Sequence, residues 1–268
     1  MDKFKEINTL LLEYKNAIEK KPWTKEFLDD LKNDITYHSN KIEGMSLPYG
    51  ETIQFLKYGL ITNAESKIKD ITDLQNHKEA LDLIFNQYST LEISVENIKL
   101  IHKFLLNNPL NKTADIYSHP GEYKEDINGT IRDINGKSQY HEYLAPPLVP
   151  GAMNRLMEEI NRGLNNVNLN KPENHPITIS VYFHYQFSNV IHPFNDGNGR
   201  IARLYSNLIL MKNDFPAIPI KGDGEEKAKY FNAFYQCEEE NKLDPLLDIF
   251  FDQLSETMTK GINLANKN

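Results

Sequence analysis

The chain has 268 residues, of which 30 are Lys or Arg and 38 are Asp or Glu, giving a formal charge of −8. That length suits one large domain or two small ones, and no Lys- or Arg-rich block offers the positive stripe with which duplex nucleic acid is bound, so no nucleic-acid partner is expected. Cys237 is the only cysteine, which excludes an internal disulfide and a four-cysteine metal site.

The first twenty residues carry charges every few positions and lack the apolar core of a signal peptide, and nowhere do eighteen apolar residues run together. A cytoplasmic protein without a membrane partner is expected. Ser39 and Glu43 lie four apart, hence on one helical face, and Gly44 suits a helix end. Leu74, His77, Leu81 and Ile84, then Ile98, Ile101 and Leu105, repeat at the spacing of one buried helical face. Prolines fall between such stretches, where they end helices. The spacing predicts an all-α fold, a bundle of helices, with an N-terminal helical segment over 1–70 packed on a core over 71–268.

One stretch departs from that pattern. Between Glu122 and Tyr143 two Asn-Gly pairs, Asn128-Gly129 and Asn135-Gly136, sit among β-branched and aromatic residues. They predict a β-hairpin, since Asn and Gly accept the positive φ of tight turns, and either pair can be its turn. From Ile177 to Ile191 the chain is apolar on nearly every side, which predicts a central buried helix. Tyr230 and Asn232 follow a Phe215-Pro216 break.

Directly after the central helix comes His192-Pro193-Phe194-Asn195-Asp196-Gly197-Asn198-Gly199-Arg200-Ile201-Ala202-Arg203, leading into a further apolar helix. Gly197, Asn198 and Gly199 can turn successive N–H groups inward where the next helix presents its own unpaired donors, an arrangement that attracts phosphate. Arg200 and Arg203, three apart, share a face and can reach one polyphosphate. A carboxylate at Asp196 repels phosphate unless a divalent cation lies between, which points to Mg²⁺ (or Mn²⁺) held by Asp196 and phosphate oxygens. His192 titrates near neutrality and can accept a proton from an attacking hydroxyl. Phe194 reads as an apolar peg holding the loop to the core. A base, a metal and an anion cradle together specify phosphoryl or nucleotidyl transfer.

The run from His192 to Arg203 resembles the signature of the Fic family at every specified position, H-x-F-x-D-G-N-G-R-x-x-R. The resemblance implies the Fic fold, with the hairpin as a flap at about 122–143 on which a target protein docks. It implies a protein adenylyltransferase: ATP lies along Gly197, Asn198, Gly199, Arg200 and Arg203, His192 deprotonates a Tyr, Thr or Ser hydroxyl, and AMP passes to it. Tyr230 would line the adenine pocket. Ser39 to Gly44 is similar to the family's inhibitory motif, which places this chain in the class with an N-terminal inhibitory helix, Glu43 pairing with Arg203 in the place of the γ-phosphate. The reverse reaction, removal of AMP from a modified protein, and a nucleotide-binding regulatory module without turnover are the alternatives. The other histidines, among them His102 and His184, show no metal-ligand spacing and are read as structural. No DNA-binding extension is evident after Leu254, and a homodimer is expected only by analogy with the family.

Overall fold

The computed structural model describes residues 2–19, 24–62, 68–107, 119–134 and 137–267. Ten α-helices and one two-stranded hairpin account for most of them. They are α1 (Lys3–Ile18), α2 (Thr24–Ile42), α3 (Tyr49–Tyr58), α4 (Ile68–Gln87), α5 (Val95–Leu105), α6 (Val149–Leu164), α7 (Pro176–Tyr185), α8 (Asn198–Lys212), α9 (Gly224–Glu240) and α10 (Asp244–Lys267). Local chemistry sets several of their ends. Asp2 accepts from the Phe4 N–H at the start of α1 and Ser94 from the Asn97 N–H at the start of α5. Pro176 opens α7, where its missing N–H costs nothing, and the His175 ring caps the Ile177 N–H.

Two helices run through the middle. Ile177, Val181 and Phe183 on α7 and Ile201, Ala202, Leu204, Tyr205, Leu208 and Ile209 on α8 are fully shielded from solvent. Such all-round apolarity is stable only with partners on every side. One apolar cluster joins these two helices to α4, α5 and α6. A second joins them to α1, the start and end of α2, α9 and α10, so that residues before and after position 70 share one core. At Gly261 in α10 a methyl group would come within 2.6 Å of the Tyr14 ring, so glycine there allows α1 to lie close.

The stretch expected as one helix from Ile177 to Ile191 is divided. After Tyr185 the backbone widens into a π-helical turn over Gln186–Ile191, and the His192 N–H donates to the Phe187 carbonyl five residues back at 2.9 Å. Apolar periodicity is blind to this change, because the same residues are buried in either winding. π-turns are uncommon and often mark working sites.

The hairpin pairs β1 (Gly129–Ile134) with β2 (Lys137–Glu142), Gly129 opposite Glu142 and Ile134 opposite Lys137. Its connection therefore falls on residues 135 and 136, which lie outside the described residues. The other Asn-Gly pair has a different use. The Asn128 side chain accepts from Lys124 Nζ at 2.6 Å and donates to the Phe194 carbonyl at 3.3 Å, and any Cβ at Gly129 would collide with the Tyr140 ring. Among the described residues no helix is long and apolar enough to cross a membrane.

Three buried histidines are held neutral by the fold: burial pushes His102 and His175 down to about 4 and His184 down to about 3. Below the ordinary value of 6.5 the unfolded chain takes up these protons before the folded one does. Their contribution to stability is therefore full above about pH 6.5 and lost as pH falls toward about 4. The melting temperature is expected to drop between about pH 7 and about pH 5, above the range in which most carboxylates titrate; an unchanged melting temperature across that interval would contradict the assignment.

Candidate active site

His192 sits where the π-turn ends, with φ at +46°, a left-handed conformation that costs energy in any residue but glycine and persists only when its surroundings impose it. Its Nδ1–H donates to the Ser188 carbonyl at 2.8 Å, which leaves Nε2 with a free lone pair. Burial pushes the imidazole down to about 4, against the hydrogen bond to Ser188, and the nearby Lys124 charge adds to the lowering. At neutral pH the ring is thus an unprotonated acceptor, the form that general-base chemistry needs. The backbone on either side is gripped by Lys124, whose N–H donates to the Pro193 carbonyl at 2.9 Å and whose Nζ donates to the Ile191 carbonyl at 3.3 Å. Burial, partly opposed by the Glu142 charge, holds this lysine down to about 8.

The loop that follows is folded back on itself. Phe194 is fully buried and stacks on His102 at 3.8 Å, the peg that its sequence position implied. The Asn198 side chain accepts from the Phe194 N–H at 3.0 Å and donates to its carbonyl at 2.8 Å, so this amide braces the loop from within. His102, on α5, ties the loop to the approach of the hairpin. Its Nδ1 accepts from the Gly121 N–H at 2.7 Å, which places the proton on Nε2, and that N–H donates to the Asp196 carbonyl at 2.9 Å. Gly197 takes φ +79° and caps α8, whose first-turn N–H groups have no partner within the helix. The Asp196 carboxylate accepts from the Gly197 N–H at 2.6 Å and remains 55 % exposed. Burial would raise its pKa, but Arg200 and the Gly197 hydrogen bond win and hold it ionised, below the usual carboxylate value.

Arg200 and Arg203 are both buried, and their guanidinium groups meet different partners. Arg200 lies 3.3 Å from Asp196 and 3.6 Å from Asp73 on α4, and its Nε and Nη1 find no hydrogen-bond partner among the described residues. Arg203 donates from Nε to Ser39 Oγ at 3.0 Å, and from Nη2 to the Ser39 carbonyl at 3.0 Å and to Glu43 Oε1 at 2.6 Å. The end of α2 is thereby fastened to α8 across 160 positions of sequence. Desolvation pushes the Glu43 carboxyl up, and the charges of Arg203 and Arg200 with the Arg203 hydrogen bond push it further down, so that it stays ionised. The approach is close because position 199 is glycine: a Cβ there would lie 2.6 Å from Glu43 Oε1 and 3.1 Å from Arg203 Nη1.

Glu43, His192, Gly199 and Arg203 open on one cavity of about 600 Å³, a size suited to a nucleotide. Its far wall is α9, where Phe231, Asn232 and Tyr235 line it, and its roof is β1. Tyr230 also borders it, yet is only 2 % exposed. Its hydroxyl bonds to Arg203 and lies 2.7 Å from His184 Nε2, whose Nδ1 lies 3.0 Å from Ser206 Oγ. Arg203 donates to the Tyr230 oxygen, which His184 holds from the other side, so the tyrosine supports Arg203 from behind. Phe231, one residue further along, is half exposed and lines the cavity. Sequence spacing singled out neither Phe231 nor Asp73 nor Tyr143. The hairpin is seated by Arg132, which donates to Glu238 Oε2 at 2.6 Å and to Asn189 Oδ1 at 2.6 Å.

Residues 92–210 match the Fic/DOC family. The protein adenylyltransferase Fic of Drosophila persimilis is 26% identical over 229 residues, 83% of this chain and 39% of its own length. The protein adenylyltransferase fic-1 of Caenorhabditis elegans is 30% identical over 208 residues, 74% of this chain and 35% of its own length. The chain thus spans under two fifths of the length of these curated relatives. The crystal structure of a Fic-domain-containing signaling protein from Bacteroides thetaiotaomicron superposes with a TM-score of 0.85 at 26% identity, covering 98% of this chain and 97% of that one.

His102 is the residue on which the loop geometry leans. Replacing it with alanine removes the acceptor for Gly121, the donor to Asp196 and the stack on Phe194 in a fully buried position. His102→Ala is expected to lower the unfolding free energy by roughly 2–4 kcal/mol in a denaturant titration; a change within about 0.5 kcal/mol would show that the loop is held elsewhere.

Proposed function

We propose, taking as premise that residues 92–210 are a Fic/DOC-family domain, that this chain transfers AMP from ATP to a hydroxyl of a target protein and is restrained by Glu43. The observation that carries the reading is the sharing of one cavity by a neutral His192, with Nε2 free, and an Arg203 already bonded to Glu43. In the forward step His192 Nε2 takes the proton of a Tyr, Thr or Ser hydroxyl, the resulting oxygen bonds to the α-phosphorus, and the bond to pyrophosphate breaks. The backbone N–H groups of Asn198 to Arg200 and the guanidinium groups of Arg200 and Arg203 receive the phosphates. The unpartnered donors of Arg200 suit such an anion.

Among the described residues no three His, Cys, Asp or Glu side chains converge as metal ligands. A lone, half-exposed, ionised Asp196 beside the phosphate cradle fits the way Mg²⁺ is held, by one or two carboxylates with phosphate and water supplying the rest. Asp196 would hold Mg²⁺ or Mn²⁺, and the ion would offset phosphate charge and orient the leaving group.

Glu43 restrains the reaction by competition. Arg203 cannot give the same N–H to the carboxylate and to a γ-phosphate, and a buried guanidinium stripped of its counter-charge is costly, so the pair resists separation. The target would lie along the hairpin at 122–143, β1 forming the cavity roof beside His192.

The test uses ATP labelled at the α-phosphorus with Mg²⁺, following label on protein by gel for the parent, Glu43→Gly and His192→Ala. Glu43→Gly is expected to raise labelling and His192→Ala to lower it by about 100-fold or more, the scale of a lost general base. Equal labelling by the parent and Glu43→Gly sinks the restraint by Glu43, and undiminished labelling by His192→Ala sinks the assignment of the base.

A further inference from the structure

We propose that Tyr143 is the positioning residue that sets the plane of the His192 imidazole, so that Nε2 meets the acceptor hydroxyl from a single direction. The inference rests on the reading of His192 as the base. Among the described residues the His192 ring makes one hydrogen bond, Nδ1–H to the Ser188 carbonyl. One bond leaves the ring free to tilt about the axis of that bond, and a tilt of a few tens of degrees misdirects Nε2 by an ångström or more, enough to cost a proton transfer its geometry.

The Tyr143 ring removes that freedom. Its centroid lies 3.7 Å from that of His192, and the two planes differ by 4°. Tyr143 is itself held on several sides. Its N–H donates to the Asn128 carbonyl at 3.1 Å, and the next N–H, of Leu144, donates to the Val190 carbonyl at 3.0 Å, within the π-turn that presents His192. The His141 ring meets it edge-on at 5.1 Å, and Lys124 Nζ lies 5.7 Å from its centre. The stacking surface thus belongs to the foot of the hairpin, and the seat of the hairpin and the plane of the base are one adjustment. A target segment laid on the hairpin would press on the element that aims the base.

The role belongs to the aromatic face and not to the hydroxyl, which separates Phe from Leu at this position. In the Glu43→Gly background, Tyr143→Phe is expected to keep kcat within about twofold, and Tyr143→Leu to lower kcat about tenfold or more with KM for ATP within about twofold. An independent readout needs no turnover: the imidazole of His192, assigned by the signal lost in His192→Gln, is titrated by NMR in each protein. With Tyr or Phe at 143 it is expected to titrate near about 4, and with Leu to move at least about one unit toward 6.5 as the freed ring tilts into water. Retention of kcat by Tyr143→Leu, or an equal fall in Tyr143→Phe, overturns the proposal. If no variant transfers label, the assignment of AMP transfer fails while the titration still decides Tyr143: an unmoved His192 in Tyr143→Leu overturns it, and a moved one upholds it.

Discussion

A guanidinium buried at 4 % exposure, as at Arg203, has to be given acceptors, because its charge and its five N–H groups cannot be left bare in an apolar interior. Much of the surrounding architecture follows from meeting that demand. Ser39 supplies its hydroxyl and its carbonyl, Glu43 a carboxylate, and Tyr230 an oxygen that is also hydrogen-bonded to His184 Nε2. These groups come from α2 and its end, α9 and α7, so satisfying one side chain of α8 draws three further helices to a point. It also requires glycine at 199, since any side chain there would stand where Glu43 and Arg203 meet.

The same economy governs the loop before α8. Polar groups that would be orphaned by burial are spent on one another: Asn198 on both backbone groups of Phe194, His102 between Gly121 and Asp196, Lys124 on the carbonyls flanking His192. What is left without a partner at the cavity among the described residues is His192 Nε2, beside the first turn of α8, whose Gly199 lines the same space. A rigid frame with an unsatisfied group aimed into one 600 Å³ space is the general form of a preorganised site. Burial of the histidines keeps them neutral, and neutrality lets each act as a donor at one nitrogen and an acceptor at the other.

Regular features of the fold were open to reading from spacing alone. The periodic apolar faces of α4 and α5, the all-round apolarity before His192, and the Asn-Gly pairs between 122 and 143 each report a local preference that the tertiary structure reinforces. The division of the central helix was not legible, because burial is the same for an α and a π winding of Gln186–Ile191 and only the position of the His192 N–H distinguishes them. The choice between two Asn-Gly pairs was closed too, since both suit a tight turn and the packing of Tyr140 on Gly129 is a contact made only after pairing. Tyr230, expected to line an adenine pocket, borders the cavity and bonds to Arg203, a contact that depends on the rotation of α9, which spacing leaves open.

By itself the sequence determined the helical class, the hairpin, and a compact run from His192 to Arg203 in which a base, a carboxylate, three turn-forming residues and two arginines follow one another. Those residues are neighbours in the chain, so local geometry alone brings them together. Tertiary structure decided which of them remain free to act. Partners from distant segments, Ser39 and Glu43 for Arg203, Asp73 for Arg200, His102 for the loop and Tyr143 for His192, settle each group's charge, tautomer and orientation. Burial and hydrogen bonding act through space, and no local pattern in the chain encodes them.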